Sequence, residues 1–337
     1  MNWKVPPKVR TVADAHSRPV GPLDATKVPR FSGLLTFARL PRREEVDSCD
    51  IAIVGMPFDS GTSFRPGARF GPEAIRAGSR LLRTYNPALD VSPFEACQVA
   101  DAGDLAISPF DIEAAVEAME SGLGHVLETA ARAVVLGGDH TIALPILRVL
   151  HRRHGPIAVV HFDAHLDTWD TYFGAPFTHG TPFRRASEEG LLSKGNCIHL
   201  GTRGPLYERL DLSNDSELGF VVRSAGTMGE AHHEEILENL HARVGDRPVY
   251  VSVDIDVLDP GFAPGTGTPE PGGLSSRELL SLLRGLVDLP IVGADVVEVA
   301  PAYDHAQITA LAAAHVAYEL VSVMATQASA GGGASRP

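Results

Sequence analysis

The sequence predicts an α/β protein of one domain, built on a mostly parallel sheet with helices on both faces. Three observations carry that reading. Short apolar runs alternate with helix-length amphipathic segments along most of the chain. The runs are rich in Val and Ile, as strands buried on both faces are. No internal repeat and no linker interrupts residues 45–326, so one domain absorbs the length.

The elements follow in order. Residues 1–30 carry many prolines and neither a helical nor a strand period, which predicts an extended N-terminal arm. Eight strands are expected, at "CDIAIVGMP", "CQVADAGD", "RAVVLGGD", "IAVVHFDAH", "CIHLGTR", "GFVVRS", "PVYVSVDID" and "PIVGADVVEV". Helices are expected over 72–84, 111–132, 142–154, 232–244, 275–288 and 305–326. The folded domain is placed at 31–326, and residues 327–337, ending in the Gly/Ser-rich "GGGASRP", read as a disordered tail.

Composition narrows the function. Of 337 residues, 44% are apolar and 21% charged, ordinary for a soluble protein. No run of about 18 apolar residues is found, which predicts no membrane span, and the N-terminus lacks a signal-like apolar segment. A cytoplasmic location is the expectation. Cys49, Cys97 and Cys197 are odd in number and far apart, so they read as buried thiols rather than a disulfide framework or a zinc site. A net charge of −13 argues against a nucleic-acid partner and mildly suits a cationic small molecule.

Polar residues gather where strands end: the third strand runs into "GGDH", the fourth into "DAHLD", the seventh into "DIDVLDPG" and the last into "EVAP". Open parallel sheets bind ligands outside the carboxyl ends of their strands, so these four segments could share one crevice. Residues two apart on a strand point the same way. Asp163 and His165 therefore share a direction, as do Asp254 and Asp256; Asp167 could bend back from the turn, and His140 opens a helix after the third strand. Two imidazoles and four carboxylates without a thiolate make a hard site, better suited to manganese than to structural zinc. Four carboxylates balance two divalent cations, and a two-metal centre uses every residue. Blander readings fit less well. A calcium loop at "DIDVLDPG" needs an acidic twelfth position, where Gly265 stands. "GGDH" lacks the glycine spacing of a dinucleotide fingerprint.

"GGDHTIALPILR", "HFDAHLDTWD", "THGTPFRRA", "SVDIDVLDPGFAPGTGTPEPGGLSSRE" and "DVVEVAPAYDHAQITALAAA" together resemble the ureohydrolase family of arginase and agmatinase, and "GMPFDSGTSFRPGARFGPEAIR" is similar to its agmatinase-like branch. The resemblance spans about residues 30–326. It implies a three-layer α/β/α sandwich with a central eight-stranded parallel sheet and a binuclear manganese centre, two Mn2+ per subunit, with Ni2+ as the other metal to test. One ion would take His140, Asp163, Asp167 and Asp254; the other Asp163, His165, Asp254 and Asp256. It implies that His179 shuttles protons, that Glu298 binds the guanidinium and that Asp167 orients the attacking oxygen. The expected reaction is hydrolysis of agmatine to urea and putrescine, a step of polyamine biosynthesis. A guanidino-acid hydrolase (4-guanidinobutyrase or 3-guanidinopropionase), formiminoglutamate hydrolysis on the same fold and a non-catalytic metal-binding protein are the alternatives. Asp170 offers an ammonium tail a partner, Arg65 and Arg69 offer one to a carboxylate, and Thr178 stands where many agmatinase-type sequences have an acidic residue. The partners expected are a small guanidino substrate and further copies of the chain, as a trimer or hexamer braced by the arm, with no nucleic acid or membrane.

Overall fold

The computed structural model describes residues 19–231 and 233–331. All eight expected strands form: β1 Cys49–Met56, β2 Val99–Asp104, β3 Ala130–Gly137, β4 Ala158–Phe162, β5 Cys197–Thr202, β6 Phe220–Ser224, β7 Val249–Asp254 and β8 Ile291–Val297. They make one parallel sheet in the order β2-β1-β3-β8-β7-β4-β5-β6. The four strands that run into polar motifs, β3, β8, β7 and β4, are consecutive in that order. Their carboxyl ends therefore open into one crevice at the middle of the sheet.

Among the described residues ten helices surround the sheet: α1 Gly71–Ser79, α2 Pro93–Ala96, α3 Ile112–Glu128, α4 Ala143–His154, α5 Pro182–Glu188, α6 Leu210–Leu218, α7 Ala225–Glu230, α8 His233–Val244, α9 Ser276–Arg284 and α10 Ile308–Gly331. Two apolar clusters, one on each face, fill the space between sheet and helices. Asp111 starts α3 by accepting the Ala114 amide hydrogen, and Ser275 with Glu278 forms a capping box on α9. α3 ends at Glu128, short of the expected 132, because β3 has begun by Ala130.

α10 is long and apolar enough to cross a membrane, but 78% of its apolar window is buried inside the protein. It is a core helix, largely apolar because most of its surface is covered, with Ile308 and His315 left exposed. α10 also runs five residues into the expected tail of 327–337. Gln327 explains the extension: its side-chain amide donates to the Val287 and Leu289 carbonyls, and its oxygen accepts from Arg132. Residues 332–337 lie outside the described residues, as do 1–18 of the arm. Residues 19–30 follow the body, with Val20 exchanging hydrogen bonds with the Gln98 side chain.

Candidate metal centre and active site

The backbone builds the same device twice. At the end of β4, the Asp163 carboxylate accepts the backbone N–H of His165 at 2.6 Å. At the end of β7, Asp254 accepts the backbone N–H of Asp256 at 2.8 Å. Each aspartate thereby turns its strand and points the residue two positions on into the crevice. Phe162 pairs with Val253 in the parallel ladder, so the two devices sit side by side.

On the opposite side Gly138 supplies the approach. Its φ is +43°, and a Cβ there would lie 2.5 Å from the Met56 carbonyl oxygen. Only glycine fits, and the chain then delivers His140 to the crevice at the start of a short 3-10 turn. Asp167 reaches back from the loop beyond β4 with a φ of +56°, and Glu298 follows β8 with a φ of +64°. Two non-glycine residues in left-handed backbone at one site is strain of the kind that accompanies function.

All six expected residues meet. His140 Nδ1 stands 2.9 Å from Asp167 Oδ2, 3.2 Å from Asp163 Oδ2 and 3.4 Å from Asp254 Oδ2. His165 Nδ1 stands 3.3 Å from Asp163 Oδ1 and 3.2 Å from Asp256 Oδ2. Asp163 thus offers one oxygen to each half of the cluster, and its ion-pair partners, like those of the other three carboxylates, are all histidines among the described residues.

The tautomer of His140 follows from its surroundings. Ser252 Oγ donates to Asp295 Oδ1 at 2.8 Å, so it can only accept from His140 Nε2 across 2.8 Å. In the neutral ring Nδ1 bears a lone pair, buried, with no hydrogen-bond partner and aimed at three carboxylate oxygens. Burial disfavours a proton there, but the carboxylates outweigh it and hold the imidazole well above its ordinary value, so positive charge belongs at this point. A lone pair and carboxylates facing one point need a cation between them. The charge balance agrees. Burial and the charges of Asp256 and Asp163 hold the Asp254 carboxyl far above the usual carboxylate range. Burial and the charge of Asp163 raise Asp167 as well. Four carboxylates this close cannot all ionise without added positive charge.

Beside the cluster lies a second, differently built corner. Glu298 Oε1 accepts the His140 backbone N–H at 2.9 Å and lies 3.2 Å from His179 Nδ1. Glu298 Oε2 is buried and has no donor among the described residues. It opens onto Gly267, where an added methyl would come within 3.6 Å of it. His179 lies 2.7 Å from Ser63 Oγ through its other ring nitrogen. Burial pulls the imidazole down, but the hydrogen bond and charge of Glu298 outweigh it and leave His179 at about 9. Among the described residues Glu298 makes no ion pair with arginine; His179 is its ion-pair partner.

The rim departs from the sequence reading. Asp170 is held by Arg185 at 2.7 Å and Arg184 at 3.4 Å, so its charge is already answered. Arg69 is locked on Asp59. Arg65 makes no ion pair among the described residues and lies over the Phe64 and Tyr303 rings, 5.4 and 5.3 Å from their centroids. The thiols behave as expected: all three are free and buried, and burial pushes Cys197 up to about 12.

Sequence reasoning missed the supports. His161 falls within the cluster by distance, but its Nε2 lies 2.8 Å from Asp163 and donates to it. Burial lowers His161 to about 3, so it is neutral. Arg203, beyond β5, donates to the carbonyls of Gly201, Asp256, Val257, Leu258 and Glu270, fixing the loop that carries Asp256. Strand parity held a signal for two of these: His161 precedes Asp163, and Ser252 precedes Asp254, by two residues.

Comparison with known proteins agrees with this geometry. Residues 49–322 match the Arginase family. Agmatinase of Neisseria meningitidis is 46% identical, with 85% of this chain and 91% of the relative covered. Guanidinobutyrase of Pseudomonas aeruginosa is 43% identical over 90% and 96%. The solved structure of proclavaminate amidino hydrolase from Streptomyces clavuligerus superposes with a TM-score of 0.85 at 43% identity, covering 89% of this chain and all of the other. An eight-stranded parallel sheet, an acidic crevice at its centre and this likeness along most of the chain have one explanation: the chain belongs to the arginase family.

Proposed function

We propose that the protein hydrolyses a guanidino compound to urea and an amine at a two-manganese centre, with agmatine as substrate and putrescine as product. One observation carries the reading: among the described residues, four buried carboxylates and two imidazoles converge without a lysine or arginine partner, next to a buried glutamate oxygen that lacks a donor. Divalent ions would answer the first feature and a guanidinium the second.

The ions would be held by His140, Asp163, Asp167 and Asp254 on one side and by Asp163, His165, Asp254 and Asp256 on the other. Bound there, they would lower the pKa of water and supply hydroxide near neutral pH. The protein's own groups do the rest. Glu298 Oε2 accepts the guanidinium N–H groups and turns the planar cation toward the cluster, a charge-assisted hold that fixes the reacting carbon. Asp167 accepts a hydrogen bond from the attacking oxygen and aligns it. His179, 3.2 Å from Glu298 and protonated at neutral pH, donates a proton to the departing amine.

A guanidino acid is the second reading, and the rim favours it on one count. Asp170 is neutralised by two arginines, whereas Arg65 is a cation without an ion-pair partner among the described residues. Free, buried thiols suit a reducing, cytoplasmic setting. Exposed Leu23, Phe31 and Leu34 near the arm suit a trimer or hexamer. A urea-release assay on agmatine, 4-guanidinobutyrate, 3-guanidinopropionate and arginine, with manganese and with nickel, tests the proposal. Agmatine should give the highest kcat/KM. Turnover of the acids alone moves the assignment to the second reading, and silence across the panel with metal bound overturns catalysis.

A further inference from the structure

Behind Asp163 runs a chain of buried polar groups that the reaction does not use. His161 Nε2 faces Asp163 Oδ2 at 2.8 Å, and His161 Nδ1 faces His199 Nδ1 at 2.6 Å. His199 Nε2 lies 3.2 Å from Asp215 Oδ2, an ion-pair distance without hydrogen-bond geometry, and both atoms are buried with no hydrogen-bond partner among the described residues. Thr168 Oγ1 donates to Asp215 Oδ1 at 2.5 Å. His161, His199 and Asp215 are fully buried. The chain starts at one carboxylate of the cluster and ends on the residue after another, Asp167.

Directions are set by elimination. A carboxylate on a cation can only accept, so His161 Nε2 donates to Asp163. The two Nδ1 atoms, 2.6 Å apart, share one proton, which ties the His199 ring to His161. Asp163 consequently receives one N–H on each oxygen, from the His165 backbone on Oδ1 and from His161 on Oδ2. Its plane is fixed, and each oxygen keeps a lone pair for an ion.

The cost of this arrangement is visible in α6. That helix buries Asp211 and Asp215 and exposes Leu210 and Leu212, the reverse of what packing alone selects. Asp211 accepts the Glu208 amide hydrogen near the start of the helix, but Asp215 has no such local use. A carboxyl group sunk into a core against the helix's own hydrophobic pattern is recruited there by a partner.

We infer that His161, His199 and Asp215 form a positioning relay that holds Asp163 and the Asp167 turn in the geometry two cations require. The inference rests on the two-metal reading above. The relay sets affinity and symmetry of the ion pair and touches no substrate.

The test is manganese titration of the full chain against a competing chelator, with the electron paramagnetic resonance spectrum of the loaded protein as second readout. His199→Phe keeps the ring that stacks on Phe220 at 4.1 Å and removes the hydrogen bond to His161 and the polar contact with Asp215. His199→Gln loses the ring but keeps a donor and an acceptor. The relay predicts that wild type takes two ions with a coupled-pair spectrum, that the Phe variant binds about 10–100-fold more weakly, and that Gln recovers most of the loss. A merely structural role predicts the reverse order, with Phe better than Gln. Wild type with two ions and a Phe variant of equal affinity overturns the relay alone. Wild type that binds no ion pair overturns the two-metal reading and the relay with it. Should the Phe variant not fold, Asp215→Leu attacks the far end, and unchanged manganese affinity there overturns the relay equally.

Discussion

Two strands of the sheet end in turns that look alike on paper, β2 in "ADAGD" and β4 in "FDAHLD". At β2, the Arg76 guanidinium lies at 2.9 and 3.0 Å from the two Asp101 oxygens and at 2.5 Å from Asp104. Asp101 also takes the backbone N–H groups of Phe37 and Gly103. Its charge is answered inside the protein, and the cluster ties α1 to the sheet. At β4, the ion-pair partners of the carboxylates among the described residues are all imidazoles, one of them with an unpartnered nitrogen turned inward. Buried acids with their own cation are structure; buried acids without one are a place for ions from solution. The motif does not tell them apart, but the partners do.

Breaking the open cluster should have the largest effect. Asp163→Asn removes the residue that faces both halves, so bound manganese and urea release should vanish together. Elemental analysis that finds a fully loaded Asp163→Asn protein would refute the assignment. Glu298→Ala acts beside the ions rather than on them. It should retain metal while kcat/KM falls by the about 2–5 kcal/mol typical of an unpaired buried charge, tens to thousands of fold. Metal loss in that variant would mean that Glu298 serves the cluster rather than the substrate.

The closed cluster should fail differently. Arg76→Met leaves Asp101 buried without its cation, a loss of about 3–5 kcal/mol in stability. Denaturant unfolding should show it, and manganese stoichiometry of the folded fraction should not change. The smallest effect concerns His179 in the metal-free protein. Its folded value of about 9 lies above the ordinary 6.5, so the stabilisation from its pairing with Glu298 is full below about 6.5 and is lost as pH rises through about 9. Thermal melts across that window should slope for wild type and flatten for His179→Gln; parallel curves would remove His179 from the account.

Much of this was legible from residue order. All eight strands were, because strands buried on both faces need long apolar runs and say so. The six converging side chains were also legible, because the carboxyl-end rule gathers them without coordinates. Strand parity is not what aims them: β4 ends at Phe162 and β7 at Asp254, and turns deliver His165 and Asp256. α6 was not, because its pattern is inverted for the sake of Asp215. Nor were Arg203 and Asp295, whose partners lie 53 and 43 residues away along the chain. Asp170 read as an open charge until its arginines on α5 appeared.

The sequence by itself determined which groups the protein owns, how they alternate along each strand and at which end of the sheet they emerge, since these depend on local geometry with a fixed period. Only the tertiary structure decided which charges are answered from within. Pairing is set by what crosses the sheet from distant segments, and a guanidinium at hydrogen-bond distance leaves no mark on the sequence of the acid that it neutralises.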